Sequence, residues 1–162
     1  MIKPIKFGVI GVGHLGNFHV QQIQNNKKVE LVGVFDVNIK QASKIAKQHN
    51  VQSFKTNQEL YKTCDAVSIV TPAPFHHSET MLAIKNNCHV FIEKPFTTNL
   101  KDAEEIINCS NKKNLLIQIG HIERFNPVFT KFEQFNCLPL FIEAQRLSPF
   151  NIRGSEIDVV LD

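Results

Sequence analysis

Several features that mark large classes of protein are missing from this sequence of 162 residues. Its four cysteines form no C-x-x-C pair, and their spacing matches no zinc-binding pattern. No apolar run reaches the roughly 18 residues that a bilayer-spanning helix needs. The apolar N-terminal stretch is too short and too rich in glycine for a signal peptide. We therefore expect a cytoplasmic protein without a membrane partner.

Charge and metal-binding patterns are equally sparse. The net charge is only +3, and the lysines and arginines are scattered without a long basic run, so nucleic acid is not an expected partner. We also find no His/Asp/Glu pattern suited to a metal-dependent hydrolase, and we predict no metal site. Hydrophobic residues make up 43% of the chain and charged residues 20%, which leaves an ordinary globular protein.

Short apolar stretches alternate with helical ones before Gly120. The predicted strands are Ile5–Ile10, Glu30–Phe35, Val51–Phe54, Ala66–Val70, Cys88–Ile92 and Leu115–Ile119. The predicted helices are Leu15–Asn25, Asn38–His49, Asn57–Tyr61, Pro74–Asn86 and Asn99–Lys112. Unbroken apolar strands, each followed by a helix, indicate a parallel sheet covered on both faces. The predicted fold class is therefore α/β, a doubly wound parallel sheet of the Rossmann type.

The alternation ends near Gly120. A predicted helix over Glu123–Gln134 is followed by a predicted strand over Leu140–Leu147, in which apolar and polar residues alternate. We predict a dinucleotide-binding domain over residues 1–121. Residues 122–162 would be a hinge and the truncated start of a second, α+β domain, because about 40 residues cannot close a sheet and bury a core by themselves.

The motif Gly11-Val12-Gly13-His14-Leu15-Gly16 follows the first predicted strand and opens the first predicted helix. This is the context in which G-x-G-x-x-G binds a dinucleotide. The first glycine allows the tight turn, the second lets the pyrophosphate approach the backbone, and the third lets helix and strand pack closely. Free amides at the start of the helix then bind the phosphates. A glycine turn without a ligand is the alternative.

Asp36 ends the second predicted strand, about 20 residues after this motif, where a carboxylate accepts hydrogen bonds from the adenosine ribose. The same carboxylate would repel the 2′-phosphate of NADP. No arginine follows it, and Lys40 is the nearest cation. The predicted cofactor is therefore NAD, with NADP the less favoured choice.

Four further segments resemble motifs of one family, that of glucose–fructose oxidoreductase, inositol dehydrogenase and rhizopine-catabolism proteins. They are T-P-x-x-x-H at 71–76, the H-V pair at 89–90, the E-K-P triplet at 93–95 and G-H-x-x-R-F-x-P at 120–127. The resemblance extends from residue 5 to residue 162. It implies an NAD(P)-dependent dehydrogenase.

The resemblance also implies roles for individual residues. Lys94 would hydrogen-bond the substrate hydroxyl and stabilise an alkoxide as hydride leaves for the nicotinamide. Glu93 would either orient Lys94 or contact the nicotinamide ribose, and the family often has a cis bond before the residue equivalent to Pro95. His76 would either face the nicotinamide or only begin a helix. The expected cofactor-binding residues are Gly11, Gly13, His14, Leu15, Gly16, Asp36, Thr71, Pro72, His76, Glu93 and Lys94.

The sequence at residues 120–127, 146–150 and 153–154 is similar to a subgroup that includes UDP-N-acetylglucosamine 3-dehydrogenases, which oxidise the sugar 3-hydroxyl. Arg124 would serve the active site or pin the hinge, and Arg153 would bind a diphosphate or lie on the surface. The family carries D-x-x-x-H on a helix of its second domain. Asp162 takes the aspartate position and is, with Lys94, an expected catalytic residue, while the histidine position lies beyond residue 162.

On this alignment we expect the chain to bind NAD but to transfer hydride poorly or not at all by itself. A truncated gene product, an expression fragment and a shortened homologue would each explain this, and the sequence does not choose among them. Two other classes stay open. One is an NAD-binding module or pseudoenzyme without turnover, and the other is an interaction protein that dimerises through the strand at 140–147. The expected partners are a sugar or nucleotide-sugar substrate and a second copy of the chain in a homo-oligomer.

Overall fold

The computed structural model of the chain describes residues 3–132, 138, 140–143 and 145. The chain divides into two compact units, Met1–Gly120 and His121–Asp162. The strands of the first unit are β1 Ile5–Ile10, β2 Val29–Phe35, β3 Gln52–Ser53, β4 Ala66–Ile69, β5 His89–Ile92 and β6 Ile117–Ile119. Its α-helices are α1 His14–Asn25, α2 Ile39–His49, α3 Asn57–Tyr61, α4 His76–Lys85 and α5 Leu100–Lys112.

Within the described residues, the strands form one six-stranded sheet in the order β3-β2-β1-β4-β5-β6. Every pair of neighbouring strands is parallel. The direction of winding reverses between β1 and β4, and ligands of such sheets bind in the crevice at that switch point, outside the carboxyl ends of the strands. The predicted α/β, doubly wound fold class is confirmed.

Two apolar cores cover the two faces of the sheet. Successive side chains of β1 point to opposite faces of the sheet, since Val9 packs in one core and Ile10 in the other. Residues from α1 and α2 complete the first core, which contains Val9, Val12, Val20, Val34, Ala42, Ile45 and Ala46. Residues from α3, α4 and the central strands complete the second, which contains Ile10, Phe54, Leu60, Tyr61, Val67, Ile69, Ala83, Cys88, Val90 and Ile92. Burial on both faces explains why the strands are unbroken apolar runs.

Asparagines define several helix ends, as the sequence predicts. The side chain of Asn38 accepts a hydrogen bond from the Gln41 amide, and that of Asn99 accepts one from the Asp102 amide. Asn87, just after α4, has a positive φ of 60°, a conformation that asparagine tolerates better than most residues.

Two predicted helices differ from the structure where proline interrupts them. The helix predicted over Pro74–Asn86 is a 3₁₀ turn, Ala73–Phe75, followed by α4 from His76. In the second unit, the continuous helix predicted over Glu123–Gln134 is wrong. The described residues form a 3₁₀ turn, Ile122–Phe125, and then α6, Pro127–Phe132. Asn126 between them is extended, with φ −67° and ψ 125°, because the proline ring disfavours the helical region for the preceding residue.

The strand predicted over Leu140–Leu147 is absent from its described residues, 140–143 and 145. None of the described strands pairs with them, and a segment without a neighbour forms no ladder. The rest of that prediction lies outside the described residues. No helix in the described part of the chain is long and apolar enough to cross a membrane.

Candidate active site

The glycine motif connects β1 to α1 at the switch point. Gly11 has a positive φ of 83°, and a Cβ there would lie 2.8 Å from the carbonyl carbon and oxygen of Val70. A Cβ on Gly16 would overlap the carbonyl oxygen of Gly11. Both glycines are therefore needed by the protein itself, whether or not a ligand is bound. We expected Gly16 to allow close packing of the helix on the strand. The close approach is instead to the glycine loop, at the carbonyl group of Gly11.

Gly13 is different, because it precedes α1 and borders open space. A Cβ on Gly13 would meet no atom within 4 Å. No side chain caps α1, and no acidic residue occupies its first turn, so its first amides have no partner from a capping residue. His14 and Leu15 are exposed beside them. An uncapped helix start with open space in front of it fits a phosphate group.

Asp36 fixes the glycine loop from the end of β2. Its Oδ2 accepts a hydrogen bond from the Val12 amide, and its Oδ1 accepts one from the Asn38 amide, both at 2.8 Å. The Nε2 of Gln41 donates to the Val12 carbonyl oxygen at 2.8 Å. The sequence analysis missed Gln41. Its position three residues after the capping Asn38 is that of a capping box, but its side chain reaches the glycine loop instead.

The loops after β4 and β5 are joined by His76. Its ring is 1% exposed, with Nδ1 2.7 Å from the Pro95 carbonyl oxygen and Nε2 2.8 Å from the Thr71 carbonyl oxygen. His76 therefore begins α4, as one of its two expected roles requires, and connects two loops from a buried position. Its other expected role, at the nicotinamide, stays a prediction. The Lys94–Pro95 peptide bond is cis, while Pro72 is exposed. The Oγ1 of Thr71 is buried and has no hydrogen-bond partner among the described residues.

Glu93 follows β5 and is held by a histidine of α1 that the sequence motifs did not single out. His19 Nε2 lies 3.0 Å from Glu93 Oε1, and the Lys94 amide donates to Glu93 Oε2 at 3.2 Å. The hydrogen bond from His19 is the main cause that holds the pKa of Glu93 below its ordinary value. The side chain of Lys94 is exposed at the carboxyl end of β5. Gly120 lies against Glu93, and a Cβ there would be 3.0 Å from Oε1.

Because folding lowers the pKa of Glu93, the contribution of Glu93 to the free energy of unfolding depends on pH. Because the folded pKa is below the ordinary value of 4.5, the stabilisation is fully present above that pH and is lost as the pH falls through the folded pKa. We expect the difference in free energy of unfolding between wild type and Glu93→Gln to be constant near neutral pH and to shrink in acid. Urea unfolding at a series of pH values measures it. A difference that does not vary with pH would contradict the assignment.

One group of possible metal ligands escaped the sequence analysis. Within the described residues, the ligand atoms of His77, Asp102 and Glu105 lie within 4.8 Å of one another. Ordinary hydrogen bonds account for their positions, since His77 Nε2 is 3.1 Å from Glu105 Oε2 and Asn99 donates to Asp102 at 2.8 Å. No sequence pattern marks the group because its members come from two different helices.

The residues predicted to bind substrate belong to the second unit. Arg124 lies in the 3₁₀ turn Ile122–Phe125. Arg153 and Asp162 lie outside the described residues. Their roles stay predictions.

A glycine loop, an uncapped helix and a strand-end carboxylate at the switch point of this sheet define a dinucleotide-binding α/β domain. The chain belongs to the glucose–fructose oxidoreductase, inositol dehydrogenase and rhizopine-catabolism family, an oxidoreductase family with an NAD-binding Rossmann fold, whose model matches residues 5–121. Among the relatives is UDP-N-acetylglucosamine 3-dehydrogenase of Acidithiobacillus ferrooxidans, which is 38% identical over 159 residues, covering 98% of this chain and 50% of that protein.

Solved structures agree with this assignment. A structure of the same Acidithiobacillus enzyme matches with a TM-score of 0.88 and covers 99% of this chain and 53% of the other. Scyllo-inositol dehydrogenase from Lactobacillus casei, solved with NAD(H) and scyllo-inositol, matches with a TM-score of 0.75 at 28% identity, over 82% of this chain and 40% of the other. The chain thus spans about half the length of these relatives.

Proposed function

We propose that residues 1–121 bind NAD and that the chain takes part in the NAD-dependent oxidation of a hydroxyl group on a sugar or nucleotide sugar. One observation carries the proposal. The switch point has the glycine loop and Asp36 on one side and the Glu93-Lys94-Pro95 turn on the other. The 38% identity with a UDP-N-acetylglucosamine 3-dehydrogenase supports a nucleotide sugar as the substrate class.

The arrangement fits a dinucleotide laid across the switch point. The amides at the start of α1 would bind the pyrophosphate, and Asp36 would accept hydrogen bonds from the adenosine ribose. Since Asp36 follows β2, the nicotinamide half would lie over β4 and β5 on the other side. The buried Thr71 Oγ1 supports this placement, because it is a polar atom without a partner among the described residues and such atoms normally have one.

Lys94 is the residue that we propose to act on the substrate. The bound NAD would supply a hydride acceptor. The Lys94 ammonium would donate a hydrogen bond to the substrate hydroxyl and stabilise the negative charge that develops on this oxygen as its proton passes to a general base. Asp162, by its resemblance to the family motif, would assist that proton transfer. We further propose that Arg124 and Arg153 serve the substrate, because a guanidinium group matches the oxygens of a diphosphate.

The test compares wild type with Lys94→Met, which keeps an unbranched side chain but removes the ammonium group. We expect saturable NAD binding by calorimetry in both proteins, with dissociation constants within about twofold of each other. With UDP-N-acetylglucosamine and NAD, we expect wild type to form NADH only slowly by itself, and the variant to form it about 10²–10⁴-fold more slowly still. Absence of NAD binding to wild type would overturn the cofactor assignment. Equal and measurable rates in the two proteins would overturn the role of Lys94, and fast NADH formation by wild type would overturn the expectation of poor hydride transfer.

A further inference from the structure

A chain of hydrogen bonds connects three side chains that lie far apart in the sequence. Ser68 of β4 is fully buried, and its Oγ lies 2.8 Å from Nδ1 of His19 in α1. Nε2 of the same ring lies 3.0 Å from Oε1 of Glu93. The side chains of His19 and Glu93 are only 16% and 21% exposed. The helix that carries the phosphate-binding amides is therefore linked to the ends of both β4 and β5.

The direction of these hydrogen bonds follows from the chemistry of the partners. The ionised carboxylate of Glu93 can only accept, so Nε2 of His19 must carry a hydrogen and donate it. Nδ1 of a neutral ring accepts from the Ser68 hydroxyl, whereas Nδ1 of a protonated ring donates to the hydroxyl oxygen. In both cases Ser68 is the partner of Nδ1, and Nε2 is left to donate to Glu93.

Packing confines the carboxylate further. The ring of Phe91 lies 5.6 Å from the ring of His19, measured between centroids. Gly120 lies against Oε1, where a side chain would crowd it, and the Lys94 amide donates to Oε2. Glu93 is therefore held from several sides, and both the His19 ring and the nearby Lys94 favour its ionised form by lowering its pKa.

We propose that His19 is a positioning residue that holds Glu93, as an anion of fixed orientation, at the nicotinamide half of the dinucleotide. This rests on the proposed NAD binding. Asp36 marks the adenosine side at β2, so Glu93 after β5 lies on the opposite side of the switch point. Loss of the His19 hydrogen bond would release Glu93 without disturbing the contacts of the adenosine and pyrophosphate groups. NAD binding should then weaken, while binding of ADP, which lacks the nicotinamide half, should not.

The experiment compares His19→Phe with His19→Gln in the full chain. Phenylalanine keeps a ring beside Phe91 but forms neither hydrogen bond, whereas glutamine can still donate to Glu93. We expect His19→Phe to raise the dissociation constant of NAD about tenfold, as loss of a hydrogen bond to a charged group commonly does. The dissociation constant of ADP should stay within about twofold. His19→Gln should restore most of the NAD affinity, and Ser68→Ala should lower it by less than His19→Phe.

His49→Phe is the matched control, because His49 also binds residues of α1, namely Asn17 and Gln24, but from the α2 side. It should change neither dissociation constant. Equal weakening of NAD binding and ADP binding in His19→Phe would mean that His19 only supports the fold. Unchanged binding of both would mean that His19 does not position Glu93. Either result would overturn this inference and leave the proposed NAD binding standing. Failure of wild type to bind NAD would instead overturn the proposed function.

Discussion

Gly16→Ala is expected to destabilise the protein and to remove measurable NAD binding. The added methyl group would overlap the Gly11 carbonyl oxygen, and a backbone atom in a loop held by Asp36 cannot move aside as a flexible side chain would. Alanine gains about 1 kcal/mol over glycine inside a helix, but overpacking costs about 1–3 kcal/mol and more where backbone must shift. The steric effect should therefore win, and the shift of α1 should displace the amides that we propose to bind the pyrophosphate.

Gly13→Ala is the matched control, because the same methyl group there meets nothing within 4 Å. We expect its melting temperature to stay near that of wild type, whereas Gly16→Ala should melt several degrees lower, at roughly 2–8 °C for each kcal/mol lost. Gly13→Ala should still weaken NAD binding, since its methyl group would occupy the space that we propose for the pyrophosphate. Thermal unfolding and calorimetry measure both effects. Equal stability of the two variants would contradict the steric argument.

The local structure that the sequence predicts correctly around the site depends on local chemistry. The glycine turn between β1 and α1, the asparagine caps and the place of Asp36 at the end of β2 each follow from residues a few positions apart, because strand and helix periodicity and backbone conformation are local properties. The break at Asn126 was also local, and the effect of a proline on its preceding residue would have revealed it. That error came from giving the apolar pattern of the helix more weight than the proline.

The connections between loops could not be predicted in the same way. His19 binds Ser68 and Glu93, which are 49 and 74 residues away along the chain. Their proximity depends on the order of strands across the switch point, and no short spacing encodes it. The same is true of His76, whose partner Pro95 lies on another loop. Burial between two loops is what the sequence does not reveal for His76, whose two ring nitrogens each lie within hydrogen-bond distance of a carbonyl oxygen.

Asp36 holds the glycine loop, and we propose that it also selects NAD over NADP. A single substitution of Asp36 would change both. Asp36→Asn keeps the shape of the side chain but removes its charge. We expect NAD affinity to fall about tenfold and the preference for NAD over NADP to fall about 10–100-fold, because the carboxylate no longer repels the 2′-phosphate. Part of the lost NAD affinity would come from the loop, since an asparagine oxygen cannot satisfy both the Val12 and the Asn38 amides.

Gln41→Ala separates these two effects. It removes the hydrogen bond from Nε2 to the Val12 carbonyl oxygen and so loosens the same loop without changing any charge. NAD and NADP affinities should fall by the same factor, and their ratio should stay that of wild type. The comparison is made by calorimetric titration of all three proteins with both cofactors. The ionic strength is kept low and constant, because salt screens the repulsion. If Asp36→Asn kept the wild-type ratio, the charge of Asp36 would not select the cofactor, and the carboxylate would serve only to hold the glycine loop.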